Sequence, residues 1–432
     1  MKTFAFILLL CFSVGFSVGA IENKKVPEKK IELLIKLKSD VRNNLINNIL
    51  PYWTKNMADP VNGGFYGRID GQEKKYPEAE KGGILNGRIL WTYSAAYRVT
   101  KDTSYLSMAK RAKDYILTYF IDKEYGGTYR SVTFKGEPSD TRKQTYSQSF
   151  LMYGLSEYAR ATGNQKALEA AKAIYFALEK HAKDPVSEGY FEVFDQKWQR
   201  TTDLIIGEKS AKDEKTMNTH LHLMESYASL YRVWHDPGLA GRLRNLILLF
   251  RDQIINQKTY HLNVFLDRSW HSTSTIHSYG HDIETSWLIV EAAQILGDQQ
   301  LVKECEKLAI KIVVASSEGL QTDGSLIAEK DYADGKTNTT RDWWPQAETV
   351  VGLLNAYELS GEDHYLTDAI RCWNFTNKYL VDHKFGEWYG SVSAAGTVGK
   401  GDKAGFWKCP YHNGRMCLEV MERVSKLTEA KK

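Results

Sequence analysis

One short pattern recurs six times along this 432-residue chain, and its spacing narrows the available folds more than any other feature. The copies are GGFYGRID from Gly63, GGTYRSVT from Gly126, GYFEVFD from Gly189, HLNVFLD from His261, GSLIAEKD from Gly324 and GEWYGSVS from Gly386. The intervals between these starts are 63, 63, 72, 63 and 62 residues. Each interval holds two stretches of helical periodicity, such as GRILWTYSAAYRV and then YLSMAKRAKDYILTYF, joined by a short polar turn. A repeat of this length marks a unit that cannot bury its apolar face alone and must stack on its neighbours. The chain therefore reads as all-α: six helical hairpins, each followed by a short β-ribbon, closed into an (α/α)6 barrel. The first helix of each pair is the less charged, as burial on both faces requires. The second carries the Lys/Glu stripe of an exposed face, which favours closure over an open solenoid. No Pro/Gly/Ser-rich linker follows residue 30, so residues 21–432 are expected to form one domain.

The first twenty residues have a different character. A lone Lys2, an apolar run from Phe4 to Phe16 and then Val18-Gly19-Ala20 follow the order of a secretory leader, with cleavage expected near Ala20. The run is too short for a stable membrane span and no later stretch replaces it, so the expectation is an exported protein, periplasmic or secreted, without membrane insertion. The four cysteines beyond it (Cys305, Cys372, Cys409, Cys417) are too few and too dispersed for a disulfide framework, and they lack zinc spacing. A net charge of +4 without a Lys/Arg cluster argues against nucleic acid as a partner. The 12% aromatic content, with Trp and Tyr gathered in short motifs, suits a neutral sugar whose apolar ring faces stack on aromatics.

The repeat also provides a ruler. Fourteen residues before the turn residues Asp102, Asp236, Asp298 and Glu362 stand Arg88, His222, Glu284 and Glu348. Four polar side chains at one depth of otherwise apolar inner helices cost several kcal/mol to bury as core filler, so they are expected to line a polar cavity. Neighbours three or four residues away share their face: Asn218 with His222, His281 with Glu284, and Trp344 with Glu348. His220 lies about 200° around the helix from His222 and is expected to point away. The segment GFWKCPYHNGRM adds Trp407 and His412, delivered by a glycine-rich run, GTVGKGDKAG, read as a mobile loop.

Three histidines and no nucleophile motif dominate this cavity. Metal binding ranks low, because the ligand types lie on separate elements without metal-motif spacing. No cofactor is expected. Histidines near neutrality move protons well, one ring acting as base while another acts as acid. Proton abstraction beside a carbonyl fits them: the C2 proton of an open-chain aldose is acidified by its aldehyde, and the enediolate formed needs a fixed positive charge, for which Arg88 is the candidate. A glycosidase using Glu284 and Glu348 is the alternative from another reaction class, and a non-catalytic sugar-binding protein is a third reading.

With these residues assembled, NTHLHLMESY (218–227), YGHDIETSWL (279–288), WWPQAE (343–348) and WKCPYHNGR (407–415) resemble the cellobiose 2-epimerases, over essentially the whole chain beyond the leader. The N-acylglucosamine 2-epimerases and aldose–ketose isomerases resemble it less at the last motif. The resemblance implies an (α/α)6 barrel, no metal or redox cofactor, and inversion at C2 of the reducing-end sugar of a β-1,4-linked disaccharide or related oligosaccharide. Carried over by position, it implies that His412 exchanges the C2 proton, His281 assists ring opening, His222 is a third acid/base group and Arg88 binds the enediolate. Asn218, Glu284 and Glu348 would form the polar shell, and Trp344 and Trp407 the stacking aromatics. The leader departs from the many family members that are cytoplasmic, which leaves mannobiose as plausible a substrate as cellobiose.

Overall fold

A computed structural model describes residues 28–201 and 214–429; the leader expected over residues 1–20 lies outside the described residues. Twelve long helices carry the fold: α1 (Glu28–Asn44), α2 (Gly83–Thr100), α3 (Thr103–Tyr115), α4 (Thr145–Thr162), α5 (Gln165–Ala177), α6 (Met217–Tyr231), α7 (Pro237–Leu249), α8 (Tyr279–Leu296), α9 (Gln299–Ser316), α10 (Trp343–Ser360), α11 (Asp363–Tyr379) and α12 (Tyr411–Glu429). The even-numbered helices form the inner ring. Each packs on the next, and α12 returns to pack on α2, so the barrel is closed. Helices α3, α5, α7, α9 and α11 lie outside, each against its inner partner. The polar turns end the inner helices with a residue in the left-handed region, Gly163, Gly297, Gly361 or Lys101, and start the outer ones with side-chain caps from Asp102, Asn164, Asp236 and Asp298.

Six hairpins were expected, and five are found. The sixth inner helix, α12, takes its outer partner from the opposite end of the chain: α1 packs against it. No short turn joins that pair; it is held by packing and by Lys38 Nζ donating to Ser425 Oγ at 2.7 Å.

Each of the first five inner helices is entered through a short strand that pairs antiparallel with the strand following the next outer helix. Lys81–Gly82 pairs with Ser131–Val132, Lys143–Gln144 with Val193–Phe194, Lys215–Thr216 with Phe265–Leu266, and Arg341–Asp342 with Ser391–Val392. Ile276–Ser278 pairs with Glu329–Asp331, which Thr337–Asn338 extends. Buried Lys–Asp pairs recur beneath these ribbons: Lys81–Asp59 at 2.9 Å, Lys143–Asp122 at 2.6 Å, Lys215–Asp184 at 3.1 Å and Lys403–Asp382 at 2.7 Å. The last pair corrects one expectation. The glycine-rich run is strapped down by Lys403 and by a backbone bridge in which Ile69 N donates to Ala404 O at 2.8 Å, and this bridge closes the ring of ribbons. His412 is not on that loop; it is the second residue of α12.

The fourth residue of α4, α6, α8 and α10 has a common duty. Gln148 Oε1 accepts the N–H of Thr128, Asp282 Oδ1 that of Leu262 and Gln346 Oε1 that of Leu326, at 2.8 to 2.9 Å. His220 is the member of this set on α6: its Nε2 accepts the N–H of Tyr190 at 2.9 Å while its Nδ1 meets Thr216 O at 2.7 Å. It therefore serves the ribbon, which makes a test. His220→Gln should keep wild-type stability, as the Gln at two equivalent positions indicates. His220→Leu should lose about 1–3 kcal/mol in denaturant unfolding by orphaning a buried N–H, with turnover of the folded fraction unchanged. Equal stability of the two variants would refute the assignment.

Candidate active site

The inner helices begin at the same level, so side chains at equal positions along them make rings around the barrel axis. The second residues include Tyr146, Asn218, Trp344 and His412, and the sixth residues include Arg88, Phe150, His222, Glu284 and Glu348. Between the rings and the loop carrying Trp407 lies a cavity of 350 Å³, a size suited to a small ligand. Of the nine site residues expected from sequence, Arg88, Asn218, His222, His281, Glu284, Trp344, Trp407 and His412 line it. Glu348 stands just behind, holding His412.

All three histidines are anchored through Nδ1. His412 Nδ1 lies 2.7 Å from Glu348 Oε1, His222 Nδ1 2.9 Å from Glu225 Oε2, and His281 Nδ1 2.8 Å from Ser278 Oγ. A carboxylate accepting at Nδ1 fixes the tautomer and leaves the Nε2 lone pair as the base. Burial lowers all three imidazoles: His412 falls well below the usual range, with Arg88 and Arg415 adding repulsion, and His281 is pushed down to about 3. They are neutral near pH 7, the form a base needs.

The two carboxyls differ in state. Glu284 Oε1 and Glu348 Oε1 accept from the same Arg415 Nη2, at 2.6 and 2.7 Å. Groups this close share a proton, because both cannot ionise freely. Glu348 also accepts from Trp287 Nε1 at 3.0 Å and faces His412 Nδ1, whereas among the described residues Glu284 accepts from Arg415 alone. Burial raises both carboxyls, Glu284 the further because the Glu348 charge adds to it, so the shared proton is placed on Glu284. Both carboxylates converge on one guanidinium instead of flanking the cavity, which does not fit a glycosidase pair. Glu284, Glu348 and His412 are also, among the described residues, the one group spaced to hold a metal ion; Arg415 already places a cation on the two carboxylate oxygens.

Arg88 is arranged in the opposite way. It is 3% exposed, yet among the described residues no carboxylate pairs with it. Its Nη2 donates to Tyr146 Oη at 2.8 Å and Nη1 to Trp407 O at 3.3 Å, its guanidinium carbon lies 4.0 Å over the Phe150 ring, and its buried Nε is unpartnered. Asn218 Oδ1 is likewise buried without a partner. Trp344 sits 4.6 Å from the His281 ring and 5.6 Å from that of His412. Gly280 allows this approach, since a Cβ there would come within 2.6 Å of the Trp344 ring. Trp407, 42% exposed, stands at the mouth.

The model of the N-acylglucosamine 2-epimerase family matches residues 64–414, most of the described chain. The chain belongs to this family. It is 49% identical over 386 residues to a cellobiose 2-epimerase of Bacteroides fragilis, covering 89% of this chain and 98% of the relative. It is 40% identical to one from Ruminococcus albus, covering 89% and 98%. The structure of cellobiose 2-epimerase from Bacillus thermoamylovorans superposes with a TM-score of 0.87 at 41% identity, over 90% of this chain and 100% of that one. A D-mannose isomerase at 17% identity shares the fold, with a TM-score of 0.75. As a family member, the chain is a carbohydrate epimerase of the isomerase class.

Sequence reasoning passed over Tyr146, Phe150, Trp343, Glu225 and Arg415. Two were within reach of the ruler, which yields Phe150 when counted back from Asn164 and Tyr146 at the ring position of Asn218. Glu225 and Arg415 follow His222 and His412 by three, the spacing that marks one helix face.

The buried histidines set a pH dependence. Below the unfolded pKa near 6.5 the unfolded chain binds protons that folded His281, at about 3, and His220, at about 4, refuse. Their contribution is full above that pH and is lost as pH falls, at about 1.4 kcal/mol per pH unit for each histidine. His281→Gln should flatten the decline of unfolding free energy between about pH 6 and 4.5 by one such slope, measured by denaturant titration; an unchanged slope would show that His281 titrates normally in the fold.

Proposed function

We propose that the protein inverts C2 of the reducing-end sugar of a β-1,4-linked disaccharide, converting cellobiose to glucosyl-mannose and acting likewise on mannobiose. The observation that carries this reading is Arg88, a buried cation with no counter-charge, beside three neutral imidazoles. An unpaired guanidinium in a cavity wall is costly in the resting protein and is offset only when negative charge develops against it. Enediolate formation supplies that charge.

His281 moves the proton between ring oxygen and O1 that opens the pyranose and exposes the aldehyde. His412 Nε2 then takes the C2 proton; its electron pair enters the C1–C2 bond and the aldehyde oxygen becomes anionic against Arg88. A proton returned to the opposite face of C2 completes the inversion, and ring closure reverses the first step. His222 serves as the third acid/base group. Asn218 and protonated Glu284 hydrogen-bond the sugar hydroxyls, Glu348 fixes His412, and Trp344 and Trp407 stack on the ring faces. No metal or nucleotide takes part, so activity should survive dialysis against EDTA; loss restored by a divalent ion would refute this. We also place the protein outside the cytoplasm, its leader removed near Ala20. The mature N-terminus, read by mass spectrometry, tests this.

Incubation with cellobiose in D2O is the deciding measurement. Deuterium at C2 with a glucosyl-mannose product supports the reading, whereas free glucose would sink it. His412→Asn should lower C2 exchange about 10²- to 10⁴-fold, the range for loss of a general base. Arg88→Met should lower turnover by about 10²- to 10³-fold, as removal of an oxyanion donor does.

A further inference from the structure

The two buried arginines of the inner helices, Arg88 and Arg415, stand in opposite electrostatic situations, and the second has no role in the steps above. Arg415 is 1% exposed and lies one helical turn after His412 on α12. Its Nη2 donates to Glu284 at 2.6 Å and to Glu348 at 2.7 Å, and its Nη1 donates to Glu225 and to Tyr411 Oη. The guanidinium is sandwiched between the Tyr411 ring at 4.2 Å and the Trp287 ring at 4.7 Å. One planar fork thus ties α12 to α6, α8 and α10, four of the six inner helices.

Two of its carboxylates are the groups that anchor histidines: Glu225 holds His222 Nδ1 and Glu348 holds His412 Nδ1. The geometry points to Arg415 as the positioning residue that sets His222 and His412 together, orienting both rings and keeping both Nε2 atoms unprotonated through their shared clamp. The proposal rests on the reading that His412 exchanges the C2 proton.

The physical reason is charge. The groups facing the clamp are Arg88 from α2, Tyr153 from α4, His222 and Glu225 from α6, Glu284 and Glu291 from α8, Glu348 from α10, and Tyr411, His412 and Glu419 from α12. Without Arg415, three carboxyls would crowd together with no cation bonded to them, and they would take up protons from solvent. A protonated Glu348 donates to His412 Nδ1 instead of accepting from it. The imidazole then carries its proton on Nε2, and the lone pair that removes the C2 proton is gone. Lysine restores the charge but not the fork, since an ammonium is a point charge that cannot span three carboxylates in one plane.

The experiment is the pH dependence of kcat for C2 deuterium exchange with cellobiose in the full-length protein, for wild type, Arg415→Met and Arg415→Lys, with folding checked by circular dichroism. Arg415→Met should lose about 10²-fold or more in kcat with little change in KM. The acidic limb of its profile should move up by about one pH unit or more, so that activity recovers partly in alkali. Arg415→Lys should fall between, with the shift in the same direction, and it decides the matter if the Met variant does not fold. An acidic limb at the wild-type position in a folded variant, or a loss confined to KM, would overturn the proposal while leaving wild-type exchange intact. Absence of C2 exchange in the wild type would instead overturn the reading beneath it.

Discussion

Burial of both faces of the inner helices governs everything else in this barrel. A helix with no wet face must find protein partners for most of the polar groups it carries, and the helices here carry many at their N-terminal ends. The result is a division by position. Fourth residues bond the ribbons, sixth residues and the second residues line the cavity, and deeper residues such as Trp91 and Tyr153, stacked at 5.2 Å, plug the barrel below. The same constraint makes the site reactive, because imidazoles kept from water are neutral and a guanidinium without a counter-ion awaits one.

Arg88 and Arg415 show how the cost of buried charge is distributed. A paired buried charge contributes little net stability, and an unpaired one is destabilising. Arg415 is over-supplied with carboxylates and makes a rigid floor of four helices. Arg88 is under-supplied and is held by aromatic faces and a tyrosine hydroxyl, which support a cation without neutralising it. The unbalanced charge is thus concentrated in the cavity wall.

Most of the fold was legible in the chain because a period near 63 residues reports its unit directly, and because Asp, Asn and Gly punctuate the helices. The fourteen-residue ruler located Arg88, His222, Glu284 and Glu348, since the turn and the cavity ring are both set by helix length. It also separated His220 from His222, whose neighbouring positions carry unrelated duties. What stayed hidden was long-range. Nothing local in Arg415 announces that it meets residues up to 190 positions away, and nothing in α1 announces a partner at the other end of the chain. The glycine-rich run misled because glycine permits mobility without requiring it, and Lys403 supplies the tether that composition did not reveal.

The pairing of α1 with α12 has a consequence for how such a molecule comes into being. During synthesis, five hairpins emerge with an open seam while α1 waits for the last helix, and that helix brings both His412 and Arg415. A nascent chain therefore holds neither a sealed wall nor a complete cavity until its final segment arrives. Whatever its route, such a chain stays an incomplete barrel until its first and last helices find each other.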